Sequence, residues 1–309
     1  MEKKVVKVDG VSITGPQANN DWITKLISTL IKSKTGKLYL NSNDLRDSNA
    51  LILANALPSN MEELVIANNS ISCTASNVFI DSLASKSPHI KYLSFEDNSI
   101  TDEGCTYLVS KWDLFTNITH LILDGCEIGD EGAIQIANTV VKSRSLKLLS
   151  LNRNIIGLDG ITALAEAITN DCVLDSLQVG DNDMGDEGLT VLCKAIASES
   201  LWTTEFGLGK NGITLQGIRI LAEAIKQSRK VTSIILNSNK FGQQGGQVLY
   251  DSIIPSLVKL NLDDNGIEAD LIEKINKKLS DNFENSAMEQ RIKFSSNAFC
   301  GSGFGKRTI

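Results

Sequence analysis

Apolar and polar residues alternate in one arrangement that occurs nine times between Leu38 and Ile267. Each occurrence reads apolar, variable, apolar, two variable positions, Asn or Cys, variable, apolar. Alternation of this kind predicts a short β-strand with one buried face. Successive polar anchors lie 26 to 29 residues apart, and they are Asn43, Asn69, Asn98, Cys126, Asn154, Asn182, Asn211, Asn239 and Asn265.

A second apolar signal follows each anchor at a constant distance. Ten residues after the anchor begins an apolar pair spaced i, i+4, from Leu53/Leu57 in the first occurrence to Ile275/Leu279 in the last. This spacing places both side chains on one face of a helix. A single strand-helix unit cannot bury its apolar face alone, so the repetition predicts a stack of such units around a continuous core.

The motif L-x-x-L-x-L-x-x-N/C-x-L resembles the leucine-rich repeat family. A repeat length near 28 with a full helix per repeat is similar to its ribonuclease-inhibitor-like subtype. Only Cys126 interrupts the Asn anchors, which looks closer to the Ran GTPase-activating and NLR branches than to ribonuclease inhibitor itself, where Cys and Asn alternate. The resemblance implies an α/β solenoid, a partial horseshoe of ten to eleven repeats, with a parallel β-sheet on the concave face and α-helices on the convex face.

The repeats predict one domain over residues 1–299. We expect an N-terminal capping repeat over 1–34, nine regular repeats over 35–287, a C-terminal partial repeat over 288–299 and a flexible tail over 300–309. The segment "VKVDGVSI" from Val6 fits the strand pattern, and so does "IKFSSNAF" from Ile292. Both therefore predict a strand at the end of the solenoid.

Composition narrows the classes of partner. The net charge of -7 and the pI near 5.0 disfavour nucleic acid and anionic membranes and favour a basic protein partner. No apolar run reaches the roughly eighteen residues needed to span a bilayer. The six cysteines lie far apart without any C-x-x-C, which is typical neither of zinc sites nor of disulfide frameworks. We predict a cytoplasmic protein, in the host cytosol if it is a secreted bacterial effector.

Catalytic chemistry has weak support in the sequence. "GLGKNG" from Gly207 to Gly212 matches the dinucleotide-binding pattern G-x-G-x-x-G. The repeat already assigns these positions, because Leu208 is a core residue and Asn211 an anchor, while Gly207 and Gly209 face outward. The chain's two histidines have no paired nucleophile or metal-ligand neighbour. We therefore predict no enzyme and no catalytic, cofactor or metal site.

The outward positions of the strands indicate a binding face instead. In the first half an apolar-aromatic group lies beside carboxylates, and the predicted partner-binding residues are Tyr39, Val65, Tyr92, Glu96, Asp97, His120, Ile122, Asp124 and Arg153. Aromatic side chains supply most interface affinity, and carboxylates steer a basic partner. We predict a monomeric, non-catalytic scaffold that binds another protein through its concave face. A regulator of a small GTPase is the alternative function, and the convex helices are the alternative face.

Overall fold

A computed structural model of the chain describes residues 5–8, 11–14, 21–33, 36–139, 141–170 and 172–300. The strands are β1 (Val5–Val8), β2 (Val11–Thr14), β3 (Lys37–Tyr39), β4 (Glu63–Val65), β5 (Tyr92–Ser94), β6 (His120–Ile122), β7 (Leu148–Ser150), β8 (Ser176–Gln178), β9 (Glu205–Gly207), β10 (Ser233–Ile235) and β11 (Lys259–Asn261). The helices are α1 (Asp21–Ser33), α2 (Arg46–Ala56), α3 (Cys73–Lys86), α4 (Thr101–Ser110), α5 (Asp130–Thr139), α6 (Leu158–Ile168), α7 (Gly185–Ile196), α8 (Leu215–Gln227), α9 (Gly242–Ser252) and α10 (Ala269–Cys300), with a short 3-10 helix at Trp112–Leu114.

Strands β3 to β11 form one sheet in chain order, and each pairs in parallel with the next. The register is constant, so that Leu38 pairs with Leu64 and Leu64 with Leu93. A helix follows every parallel strand. The predicted α/β solenoid with a parallel sheet is therefore confirmed.

The core lies between the sheet and the helices. The middle residue of each parallel strand is buried, and so are the predicted i, i+4 residues of the helices, such as Leu164 and Ile168. Burial of a Leu or Ile side chain contributes about 1.5–3 kcal/mol to stability. Each strand holds its first and third residues on the opposite face, away from this core.

The anchor asparagines join adjacent repeats through buried hydrogen bonds. Asn154 accepts at Oδ1 from the N–H groups of Cys126 (2.9 Å) and Ile128 (3.0 Å) in the preceding repeat. Its Nδ2 donates to the carbonyls of Leu123 (2.8 Å) and Leu151 (3.0 Å). One side chain thereby satisfies backbone groups that the irregular turn leaves without partners.

Helix starts are also connected between repeats. Asp102, in the first turn of α4, accepts from the N–H groups of Gly129 (2.7 Å) and Gly132 (3.0 Å), at the start of α5. Asp130 caps the start of α6 in the same way, at 2.8 and 2.9 Å. The acidic residues of the "TDEG" and "GDEG" segments therefore satisfy the orphan donors of the next helix as well as opposing the dipole of their own.

The N-terminal end differs from the predicted single strand. Strands β1 and β2 form an antiparallel hairpin in which Val8 pairs with Val11, and β1 also pairs antiparallel with β3. The prediction of one repeat-like strand from Val6 is wrong. The sequence between the two strands is Asp-Gly, a pair that favours a two-residue hairpin, and this local preference prevails over the repeat pattern.

The C-terminal end also differs. Helix α10 continues to Cys300, so the strand predicted within 288–299 is not formed. The sequence contains no Gly or Pro between Gly266 and Gly301, and these are the residues that end helices most effectively. Residues 301–309 of the predicted tail lie outside the described residues. The division into 1–34 and 35–287 stays a prediction.

Candidate binding face

At the N-terminal end of the concave face, the ion pair between Lys37 and Glu63 holds the side chain of Tyr39 in place. Lys37 Nζ lies 2.6 Å from Glu63 Oε1, and the Tyr39 hydroxyl donates to the other oxygen of the same carboxylate. Hydrogen bonds from Lys37 and then Tyr39 hold the pKa of Glu63 below its usual range. Val65 is the register partner of Tyr39 and is half-buried. The first two predicted residues are therefore adjacent, and Tyr39 is held in place by the strand beside it.

Tyr92 and His120 form the second part of the face. They are register partners on β5 and β6, and their rings stack with centroids 5.4 Å apart at 23°. The His120 Nδ1 atom lies 2.9 Å from the hydroxyl of Thr119. Burial raises the pKa of the Tyr92 hydroxyl, and the carboxylates of Glu96, Asp124 and Glu63 raise it further. The aromatic pair therefore lies in a negative field.

Ser94 divides the predicted apolar group into two pieces. It is the register partner of both Val65 and Ile122, and it is almost fully buried. Ile122 is half-buried on the far side of this serine. The aromatic pair Tyr92–His120 lies two residues earlier on the same two strands. The predicted residues therefore share one face without forming a single apolar surface.

Arg153 bridges the acidic residues of an earlier repeat. Its Nη2 atom donates to Glu96 Oε1 (2.8 Å) and to Asp97 Oδ1 (2.9 Å). These bonds, with that to Glu96 the stronger influence, raise the pKa of the guanidinium. Both Arg153 and Asp97 have left-handed backbone conformations, with φ of 55° and 53°. The three predicted residues come together, and the arginine neutralises part of the acidic charge.

Asp124 differs from the expected exposed carboxylate. Its side chain is buried, with 8% of the residue exposed. Oδ1 accepts from the Ser150 hydroxyl (2.6 Å) and the Asn152 N–H (2.9 Å), and Oδ2 accepts from the Asn152 amide (3.0 Å). The prediction of an exposed steering group at Asp124 is wrong, because hydrogen bonds to the next repeat draw the side chain into the sheet surface.

The middle of the concave face contains a hollow that the sequence did not single out. Its volume is about 310 Å³, and it is lined by Asn152, Arg153, Gln178, Gly180, Asp181, Gly207, Gly209, Lys210, Ile235 and Asn237. Lys210 Nζ and Asp181 Oδ2 form an ion pair at 2.7 Å on its edge. The signal was present in the sequence, since three glycines occupy outward positions of adjacent repeats.

Several apolar side chains are exposed away from the concave face. Ile155 and Leu158, between β7 and the first turn of α6, are 66% and 41% exposed. Trp202, before β9, is 60% exposed, and Lys230 Nζ lies 4.7 Å from its ring centroid. Within the described part of the chain, no helix is both long and apolar enough to cross a membrane.

Four segments of the chain match a known repeat family by sequence. The family model described as "Leucine Rich repeat" matches residues 86–109, 116–137, 142–165 and 170–193. The fold is a leucine-rich-repeat solenoid. No curated protein matches the chain by sequence.

Two solved structures show how far the structural likeness extends. Leiomodin-1 actin-binding site 2 is 15% identical, with a TM-score of 0.48 over 54% of this chain and 96% of that one. The Rad7 and Elc1 complex from yeast is 17% identical, with a TM-score of 0.47 over 78% of this chain and 66% of that one. At these values neither relationship bears on what this leucine-rich-repeat solenoid binds.

Proposed function

We propose that this chain is a non-catalytic scaffold that binds a protein partner through the concave face of strands β3 to β6. The observation that carries the proposal is the stacked, half-buried Tyr92–His120 pair among carboxylates. Partly exposed aromatic rings that are held rigid lose little entropy on binding. They are typical of residues that dominate interface affinity.

The charge of this face favours a basic partner. Glu63, Glu96 and Asp97 provide three carboxylates at the surface and the buried Asp124 provides a fourth, whereas the cations that pair with them are Lys37 and Arg153. The face therefore keeps an excess of negative charge. Such an excess accelerates association with a positive surface and weakens as salt rises. An arginine or lysine of the partner could also lie against the Tyr92 ring.

The wider features of the proposal rest on the sequence. Repeat spacings of 26 to 29 residues support the ribonuclease-inhibitor-like subtype. We propose that the protein is a cytoplasmic monomer. If it is a secreted bacterial effector, it acts on host proteins in the host cytosol. The series of Asn anchors broken only at Cys126 favours the alternative of a small-GTPase regulator. Acceleration of GTP hydrolysis by catalytic amounts of the protein would support that alternative, and no acceleration across candidate GTPases would remove it.

The proposal is tested by affinity capture from cytosol with identification by mass spectrometry. Tyr92→Ala/His120→Ala removes the aromatic pair and leaves the core and the anchor hydrogen bonds intact. Ile52→Ala/Phe283→Ala removes side chains that are 48% and 61% exposed on α2 and α10 and serves as the matched control. A partner lost by the first variant and kept by the second is expected. A partner lost only by the second would place binding on the helices.

A further inference from the structure

Each repeat from β3 to β10 is joined to the next by the same main-chain hydrogen bonds. The core residue just after the strand donates its N–H to a carbonyl of the next repeat, as Leu236 does to Asn261 (2.8 Å). The residue two positions later does the same, as Ser238 does to Asp263 (2.8 Å). The carbonyl of the core residue also accepts from the next anchor, as Leu236 does from the Asn265 amide (2.8 Å). The core residues that donate in this way are Leu40, Ile66, Phe95, Leu123, Leu151, Val179, Leu208 and Leu236.

The equivalent groups of the last repeat have no partner. Strand β11 ends the sheet and pairs only with β10. Among the described residues, no atom accepts a hydrogen bond from the N–H of Leu262 or of Asp264. Leu260 and Leu262 are 7% and 4% exposed, whereas Ile234 in the preceding strand is fully buried. A sheet edge with unpaired main-chain groups is a template for a further strand.

The direction of the main chain shows which residues of β11 can receive that strand. The Lys259 N–H donates to the repeat of β10 (3.1 Å), and the Asn261 carbonyl accepts from the same repeat (2.8 Å). Because alternate residues of a strand direct their N–H and C=O groups to opposite sides, Leu260 and Leu262 face outward. An antiparallel strand would pair these two residues with outward-facing residues of its own.

A second copy of β11 is complementary to this edge in one antiparallel register. With a two-fold axis beside Asn261, Leu260 of each copy lies opposite Leu262 of the other and exchanges both N–H···O bonds with it. On the concave side, Lys259 of each copy then lies opposite Asp263 of the other. Both side chains are exposed, and neither forms an ion pair with another described residue. A shift by two residues would place Lys259 opposite Asn261 or Asn265, so the opposite charges favour this register over its neighbours.

We infer that two copies of the chain pair through β11 and form a two-fold dimer with one continuous sheet. The inference goes beyond the proposed function, because β11 lies at the other end of the sheet from the face of β3 to β6. The monomer of the proposed function is the dilute form, and the dimer forms as the protein concentration rises. The same surface serves both copies, so the assembly closes at two chains.

The test is sedimentation equilibrium of the full chain over a series of concentrations. The wild type should change from monomer to dimer as the concentration rises. Lys259→Glu and Asp263→Lys each place like charges opposite one another twice in the dimer, and each should weaken self-association by about tenfold or more. Lys240→Glu makes the same change of net charge as Lys259→Glu at an exposed position before α9. This matched control should leave self-association nearly unchanged.

Exchange of the two charges tests the register itself. Lys259→Glu/Asp263→Lys again places opposite charges across the interface and should restore the dimer. An equimolar mixture of the Lys259→Glu and Asp263→Lys chains should form mixed dimers, because one chain then carries two acidic residues at the paired positions and the other two basic ones. Recovery of the dimer shows that the single variants are folded. Failure of both recoveries would contradict the pairing of Lys259 with Asp263.

Hydrogen exchange followed by mass spectrometry tests the main-chain bonds. A peptide that covers residues 259–264 should exchange more slowly at high protein concentration than at low concentration, whereas one that covers 233–238 should not change, since its N–H groups are already bonded in the sheet. A chain that stays monomeric up to its solubility limit would overturn the inference. Equal self-association of Lys259→Glu and Lys240→Glu would also overturn it, and so would growth beyond two chains, which indicates head-to-tail contact.

Discussion

The buried hydrogen bonds of the anchor asparagines predict a large loss of stability when Asn154 is replaced by Ala. The change leaves the N–H groups of Cys126 and Ile128 without their acceptor, and the carbonyl of Leu123 without its donor. Each unsatisfied buried group costs about 1–3 kcal/mol. Water can enter the space left by the amide, so we take the lower limit of about 1 kcal/mol for each group. The three groups together then give an expected loss of about 3 kcal/mol.

The assay is urea unfolding followed by circular dichroism and by the fluorescence of the tryptophans. Coincidence of the two transitions is required, because long repeat arrays can unfold in stages. Asn41→Ala is the control, since Asn41 is exposed on the concave side and should change the free energy of unfolding by less than about 0.5 kcal/mol. A loss below about 1 kcal/mol for Asn154→Ala would refute the view that the anchor satisfies buried backbone groups.

Three further predictions concern the caps, the thiols and a carboxylate. Asp130→Ala should reduce the free energy of unfolding by about 1 kcal/mol, whereas Glu131→Ala in the same turn should have little effect by the same urea assay. Burial raises the pKa of the Cys126 thiol to about 12, so in a Cys300→Ser background iodoacetamide should modify half-buried Cys73 first and Cys126 only after unfolding, as mass spectrometry of peptides would show. Because the pKa of Glu63 is lowered in the folded state, its contribution to stability is present above the ordinary glutamate pKa and is lost as pH falls through the lowered value. The stability difference between the wild type and Glu63→Gln should therefore shrink in acid, and a difference independent of pH would contradict this.

The repeat made most of the fold predictable from sequence. Core positions such as Leu38 and anchors such as Asn154 occur at nearly constant spacing, and each is constrained by the same contacts in every repeat. The ends were not predictable in this way, because no neighbour continues the stack there. The local Asp-Gly signal decided the hairpin of β1 and β2, and the lack of helix-ending residues decided the length of α10.

The candidate site was predictable only in part. The strand register places Tyr92 beside His120, and both lie six residues before their anchors, Asn98 and Cys126, in the sequence. The burial of Asp124 depends on hydrogen-bond donors of the next repeat, which the position of a residue within its own repeat does not reveal. The hollow depends on the missing side chains of Gly180, Gly207 and Gly209 on adjacent strands.

The most direct test of concave-face binding is the dissociation constant of the captured, purified partner, measured by isothermal titration calorimetry. Removal of interface anchors typically costs about 2 kcal/mol or more, so Tyr92→Ala/His120→Ala should weaken binding by about thirtyfold. Ile52→Ala/Phe283→Ala should leave the affinity nearly unchanged, and higher salt should weaken the wild-type complex. Equal affinity of the wild type and the Tyr92→Ala/His120→Ala variant would contradict the proposal that this face binds the partner.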